Sequence, residues 1–148
     1  MTFEEVINND LKDAMKAKDA VALRGIRAIK SAILLAKTDG SGLELDETRK
    51  IQMLQKMIKQ RSDSFEIYKN QGREDLAKVE AEEMDIIRKY LPEQLSESAV
   101  IEKLEEIIAR LGATSAKDMG KVMGVASKEL AGKVEGKVIA EKVKELLN

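Results

Sequence analysis

The sequence predicts an all-α chain: a four-helix N-terminal domain, residues 1–91, followed by a small three-helix C-terminal domain, residues 92–148. Three observations predict it. Apolar residues make up 43% of the 148 positions and aromatics only 3%, so the core must be built from Leu, Ile, Val, Met and Ala in a composition that favours helix. Apolar positions recur at steps of three and four rather than in alternation. The single proline, Pro92, stands between the two halves, where it removes an amide donor and disfavours helix at Leu91.

The elements follow in order. Thr2-Phe3-Glu4-Glu5 has the pattern of a capping box and opens a helix whose stripe is Phe3, Val6, Ile7, Leu11, Ala14 and Met15. Asp19 is placed to cap a second helix carrying Ala22, Ile26, Ile29, Ile33 and Ala36, which breaks at Gly40-Ser41-Gly42. Asp46 caps a long third helix with Ile51, Leu54, Ile58, Phe65 and Tyr68, ended by Gly72. A fourth carries Leu76, Val79, Ile86, Ile87 and Tyr90. After Pro92, Ser96 caps a segment with Val100, Ile101, Leu104, Ile107, Ile108 and Leu111, stopped by Gly112. Thr114 or Ser115 is expected to cap the next, with Met119, Val122, Met123, Ala126 and Leu130, stopped by Gly132. Val138, Ile139, Val143, Leu146 and Leu147 form the last.

Composition excludes several chemistries. With no Cys and no His, there is no thiolate metal site, no cysteine nucleophile and no imidazole base. No cofactor or metal is expected, and no catalytic residue is assigned. The polar N-terminal residues lack a signal-peptide pattern, and the longest apolar run, Ala32–Ala36, is far too short to span a bilayer. The expectation is a cytoplasmic protein with no membrane contact. Net charge is −1 but unevenly spread. Seven basic residues between Lys12 and Lys37 face only Asp13 and Asp19, and Arg49 to Arg61 holds five basic residues and no acid. Glu74 to Glu106 holds eleven acids against four bases.

Four constellations stand out. Arg61 and Glu83 each interrupt an apolar stripe and are expected to form a structural ion pair between the third and fourth helices, with Glu80 as an alternative partner. Gly120 and Gly124 share one helix face at about 1 kcal/mol each relative to Ala. Close packing of another helix on that face is the expected compensation, and approach of a sugar-phosphate chain is the alternative. Ala131 to Lys137 reads as an exposed Gly- and Lys-containing turn without the spacing of a nucleotide-binding loop. Lys117, Lys121, Lys128, Lys133 and Lys137 lie in or beside the second C-terminal helix, where they suit phosphate charge without reading sequence; the alternative is a solvated face, since Asp118, Glu129 and Glu135 intervene. No aromatic residue lies beyond Tyr90, so base stacking in this part is excluded.

Read together, Asp10-Leu11-Lys12, Ala14 to Asp19, Gln60 to Ser64, Gly72 to Leu76, Glu80, Glu83, Tyr90-Leu91-Pro92, Lys117 to Gly124 and Gly132-Lys133 resemble the YqeY-like family over nearly the whole chain. The C-terminal domain of that family is similar to the tail domain of the B subunit of glutamine-dependent aminoacyl-tRNA amidotransferase. The resemblance implies a tRNA partner, held at Gly120, Lys121, Gly124, Gly132 and Lys133. It also implies the label of a carbon–nitrogen ligase with glutamine as amido donor. The amidase and kinase centres of such an enzyme lie in parts absent from this chain. The expectation is therefore a tRNA-binding or amidotransferase-associated accessory protein, with a protein-interaction module as the alternative. That module would use the acidic stretch and exposed Met residues.

Overall fold

The computed structural model describes residues 1–42 and 44–148. Among them are seven α-helices and no strand: α1 Phe3–Ala17, α2 Ala20–Lys37, α3 Glu47–Asn70, α4 Glu74–Arg88, α5 Glu97–Leu111, α6 Met119–Glu129 and α7 Gly136–Leu147, with a 3-10 turn at Ala116–Asp118. They fall into two compact units, Met1–Leu91 and Pro92–Asn148.

Local chemistry sets most of the helix ends. The Glu5 amide donates to Thr2 Oγ1 at 3.2 Å, and the Thr2 amide donates to Glu5 Oε2 at 3.1 Å, completing a capping box. Asp19, Asp46 and Ser96 accept from the amides of Ala22, Arg49 and Ala99, each such cap contributing about 1 kcal/mol. Gly72 and Gly112 take positive φ of 70° and 66°, the left-handed turn that glycine adopts without a Cβ clash. One expected cap differs. The Ser115 hydroxyl caps nothing, and the Thr114 amide instead donates 2.9 Å to Asp118 Oδ2. The Asp118 amide, which a Ser115 hydroxyl could have capped, is already bonded to the Ser115 carbonyl at 3.0 Å in the 3-10 turn.

In the N-terminal unit the main packing runs α1 on α2, α2 on α4 and α4 on α3. Ile7, Ile26, Ile29, Ile33, Leu54, Ile58 and Ile87 form the centre of its core. The α2–α4 contact is tight at Gly25. A Cβ built there would lie 2.5 Å from Ile86 Cγ2 and 2.6 Å from its Cβ. Tyr90 joins the end of this unit to α1. Its hydroxyl donates 2.6 Å to Asp10 Oδ2, and its ring meets Phe3 edge-on at 6.0 Å. Burial, then the hydrogen bond and charge of Asp10, hold the Tyr90 phenol far above its usual range, so it stays a donor.

The C-terminal unit packs α5, α6 and α7 against one another around Val100, Leu104, Ile107, Val122, Ala126, Leu130, Ile139 and Val143. The expected exposure of methionines is corrected: Met57 and Met84 are core residues at 6% exposure, and only Met1 and Met15 stand open.

Adding a methyl at Gly25 overpacks the α2–α4 contact. Gly25→Ala should cost about 1–3 kcal/mol, read as a lower thermal midpoint. Ile86→Val in the same chain should not recover that loss, because valine keeps the Cβ, Cγ1 and Cγ2 positions that the new methyl meets, so the two losses should at best add.

Candidate nucleic-acid interface

The sequence places eight residues at a presumptive RNA contact, and the structure treats them differently. Lys117 lies in the 3-10 turn. Gly120, Lys121, Gly124 and Lys128 lie on α6. Val122, Ala126 and the following Leu130 bury one side of α6 in the core, which leaves Gly120, Gly124 and Ser127 on the opposite side. Lys121 and Lys128 border that strip, and all of these residues are exposed.

The expectation of a helix packed on Gly120 and Gly124 is overturned. A Cβ at either position would meet nothing within 4 Å. The two glycines carry their helix cost with no intramolecular contact to offset it. Gly132 also differs from expectation. It is buried with φ +77°, and its carbonyl accepts 2.6 Å from Gln94 Nε2, while the Lys133 carbonyl accepts from the Leu95 amide at 3.1 Å. The turn from Ala131 to Lys137 is thereby tied to the chain entering α5. Gly132 shapes that turn instead of offering backbone to a partner. Lys133 remains exposed on it, and Lys137 is exposed on the first turn of α7.

Charge in this unit is partitioned. Lys103 pairs with Glu106, and Arg110 with Glu106 and Glu129 at 3.2 and 2.7 Å. Lys142 pairs with Glu97 at 2.7 Å and with Glu145. Hydrogen bonds from those partners hold the carboxyls of Glu129 and Glu97 below the usual range. Among the described residues, Lys117, Lys121, Lys128, Lys133 and Lys137 have no carboxylate within ion-pair distance; the same holds for Lys144 on α7. In the N-terminal unit Lys12, Lys16, Lys18, Arg27 and Lys30 are likewise exposed and unpaired on α1, α2 and the turn between them.

Arg61 and Glu83 lie between α3 and α4 with Nε to Oε2 at 3.4 Å and side chains 19% and 18% exposed. Arg61 also donates from Nη1 to the Met57 carbonyl at 3.2 Å, while its Nε makes no aligned hydrogen bond. The contact is an ion pair rather than a bidentate clamp. Glu80 sits one turn before Glu83. Burial, then the Glu83 charge, raise its carboxyl above the usual range, with Arg61 pulling the other way.

Among the described residues no group of carboxylates could hold a metal ion, and no helix is long and apolar enough to cross a membrane. A cleft of about 490 Å³ near Phe3, Ile33 and Leu45 has Glu4 and Lys37 paired at 3.0 Å on its rim.

Two stability predictions follow from these positions. With open space at both Cβ positions, Gly124→Ala should raise stability by about 1 kcal/mol, and Gly120→Ala by less because it lies in the first turn; thermal or urea unfolding reads both. For Glu80, a raised folded pKa means that the folded chain holds its proton more tightly than the unfolded chain. Stability is then lost as pH rises from the unfolded carboxylate value, about 4.3, through the folded one. Glu80→Gln should raise the thermal midpoint at about pH 7 and leave it unchanged at about pH 3.

The chain matches the family model described as Yqey-like protein over residues 4–147. It is similar to the protein named altered inheritance of mitochondria protein 41, mitochondrial, of Pyrenophora tritici-repentis, with 32% identity over 93% of this chain and 77% of the relative. The protein of that name from Clavispora lusitaniae is 36% identical over 82% of this chain and 69% of its own length. The one from Saccharomyces cerevisiae is 34% identical over 89% and 70%. The expectation of a cytoplasmic protein is corrected by these relatives, each of which is named as mitochondrial. A match running from the first turn of α1 to the end of α7 places the chain in the YqeY-like family.

Proposed function

We propose that the chain is a non-catalytic RNA-binding accessory protein, with tRNA as the partner and association with glutamine-dependent tRNA amidotransfer as its setting. The observation that carries this reading is the row of exposed, unpaired lysines beside the bare strip of α6. Lysines without carboxylate partners are free to displace counterions from a phosphate chain, which is the dominant sequence-independent term in nucleic-acid affinity. Nothing on that face reads base identity, so the contact is to backbone. The unpaired cations of α1 and α2 offer a second surface of the same kind. The C-terminal unit acts in this reading as the RNA-holding module, and the amidotransfer chemistry belongs to other proteins. Resemblance to the amidotransferase tail domain supports the choice of tRNA over other polyanions.

A second reading has its own observation. Leu34 and Leu35 are 63% and 71% exposed on α2, with Met15 on α1 and Ile67 on α3 also open. Such residues suit a protein partner docking on the N-terminal unit.

The test is binding of purified protein to bulk tRNA over a salt series. Five lysines engaged with phosphate predict a slope of log affinity against log salt on the order of −4. Lys117→Gln, Lys121→Gln and Lys128→Gln together should flatten it by about 3. Lys121→Glu with Lys133→Glu should abolish binding at low salt. Absence of binding at any salt would leave the protein-docking reading.

A further inference from the structure

We infer that the outer face of α6, if the RNA-binding reading above holds, takes the ribose-phosphate backbone of a base-paired RNA stem and not unpaired bases. Four features of this unit point the same way. Its 57 residues from Pro92 to Asn148 contain no Phe, Tyr or Trp, so no ring is present on which a splayed base could stack. Its one guanidinium, Arg110, is engaged by Glu106 and Glu129 through 3.2 and 2.7 Å contacts, so stacking on a base or gripping one bidentately would first have to break those pairs. What remains exposed is ammonium charge, a point donor that suits phosphate oxygens. Finally, Gly120 and Gly124 leave the helix backbone uncovered between those charges, with open space where a side chain would stand.

The geometry is also preformed. Val122, Ala126 and Leu130 root α6 in the core at 0–2% exposure, and Asp118 closes the turn before it on the Thr114 amide. Lys121 and Lys128, two turns apart on one side, lie about 10 Å from each other along the axis, and Lys117 extends the row by roughly one further turn. The helix that carries these lysines is fixed, so on a stem the ordering cost is confined to the lysine side chains, whereas a flexible single strand would itself have to be ordered on binding as well. The wide, shallow minor groove of an RNA helix presents ribose hydroxyls and phosphates at its surface. A helix edge without Cβ atoms can approach those groups closely.

The experiment uses the full chain and four fluorescent probes: bulk tRNA, a blunt RNA duplex of about 16 base pairs, the span covered by shape-reading RNA domains, one strand of that duplex alone, and the DNA duplex of the same sequence. The expected result is that tRNA and the RNA duplex bind alike, and that the single strand and the DNA duplex bind at least about tenfold more weakly. Gly124→Leu fills the strip without touching the core. It should weaken RNA-duplex binding at least about tenfold while the thermal midpoint stays the same or rises. Binding of tRNA with equal or stronger binding of the single strand would overturn the inference and leave the RNA reading standing. Equal binding of RNA and DNA duplexes, or full duplex binding by Gly124→Leu, would also overturn it. If no probe binds, the RNA reading itself fails, and this inference fails with it.

Discussion

A core almost without aromatic rings is the constraint from which the architecture follows. Two Phe and two Tyr serve 148 residues, and none of them lies in the C-terminal unit. Aliphatic side chains fill less volume each, so helices must come closer to exclude water at native density. The α2–α4 contact shows this directly. Gly25 removes its side chain so that Ile86 can press on the α2 backbone, leaving less than carbon–carbon contact distance for any Cβ. Ile29, Ile33 and Ile87, each at 2% exposure or less, then close over the remaining space. The few rings present stand at the margin. Phe3 and Tyr90 meet edge-on at the end of α1, where the Tyr90 hydroxyl reaches Asp10.

Because apolar packing supplies the cohesion, charges are left to arrange the surface. Pairs such as Arg24 with Glu82 and Arg61 with Glu83 link α4 to α2 and α3 from partly covered positions. Such pairs orient helices more than they stabilise them, since desolvation offsets much of the attraction. In the C-terminal unit the same logic divides the molecule. Carboxylates of α5 and α7, with Glu129 at the end of α6, neutralise Lys103, Arg110 and Lys142, and among the described residues the lysines around α6 receive none. A unit with balanced charge overall therefore presents a positive face. A net charge of −1 conceals it, because the sum does not record which residues meet.

Local signals were legible in the sequence, and long-range ones were not. The caps at Thr2, Asp19, Asp46 and Ser96 and the stops at Gly72 and Gly112 depend on neighbours three or four residues away, which a single chain displays. The aliphatic stripes gave the core faces for the same reason. Gly25 carries no signal in the sequence because the reason for it, Ile86, is 61 positions away in α4. Gly120 and Gly124 do carry one, but an incomplete one. Spacing says that two glycines share a face, but not whether that face is covered. Gly132 looks like an exposed turn in the sequence because its burial depends on Gln94 and Leu95 folding back on it. Thr114 and Ser115 have the side chains of a cap, but side-chain type does not reveal the 3-10 turn in which the Ser115 carbonyl takes the Asp118 amide.

The open glycines bear on how stability and activity are divided in this fold. Gly25 has a structural reason, since its missing side chain makes room for Ile86. Gly120 and Gly124 have no reason inside their own unit, yet Gly124 lowers helix stability by about 1 kcal/mol relative to alanine and Gly120, in the first turn, by less. In a domain whose total stability is on the order of 5–15 kcal/mol, that is a substantial concession. The strip between the unpaired lysines is thus a place where local propensity and global fold disagree. Such disagreements in a sequence otherwise consistent at its caps, stripes and turns are expected at functional positions. In the reading proposed above, the compensating contact lies outside the chain, and the unpaired lysines beside the strip suit an anionic partner. That conjunction, more than either the glycines or the lysines alone, singles out α6 over the comparably basic but glycine-free face of α1.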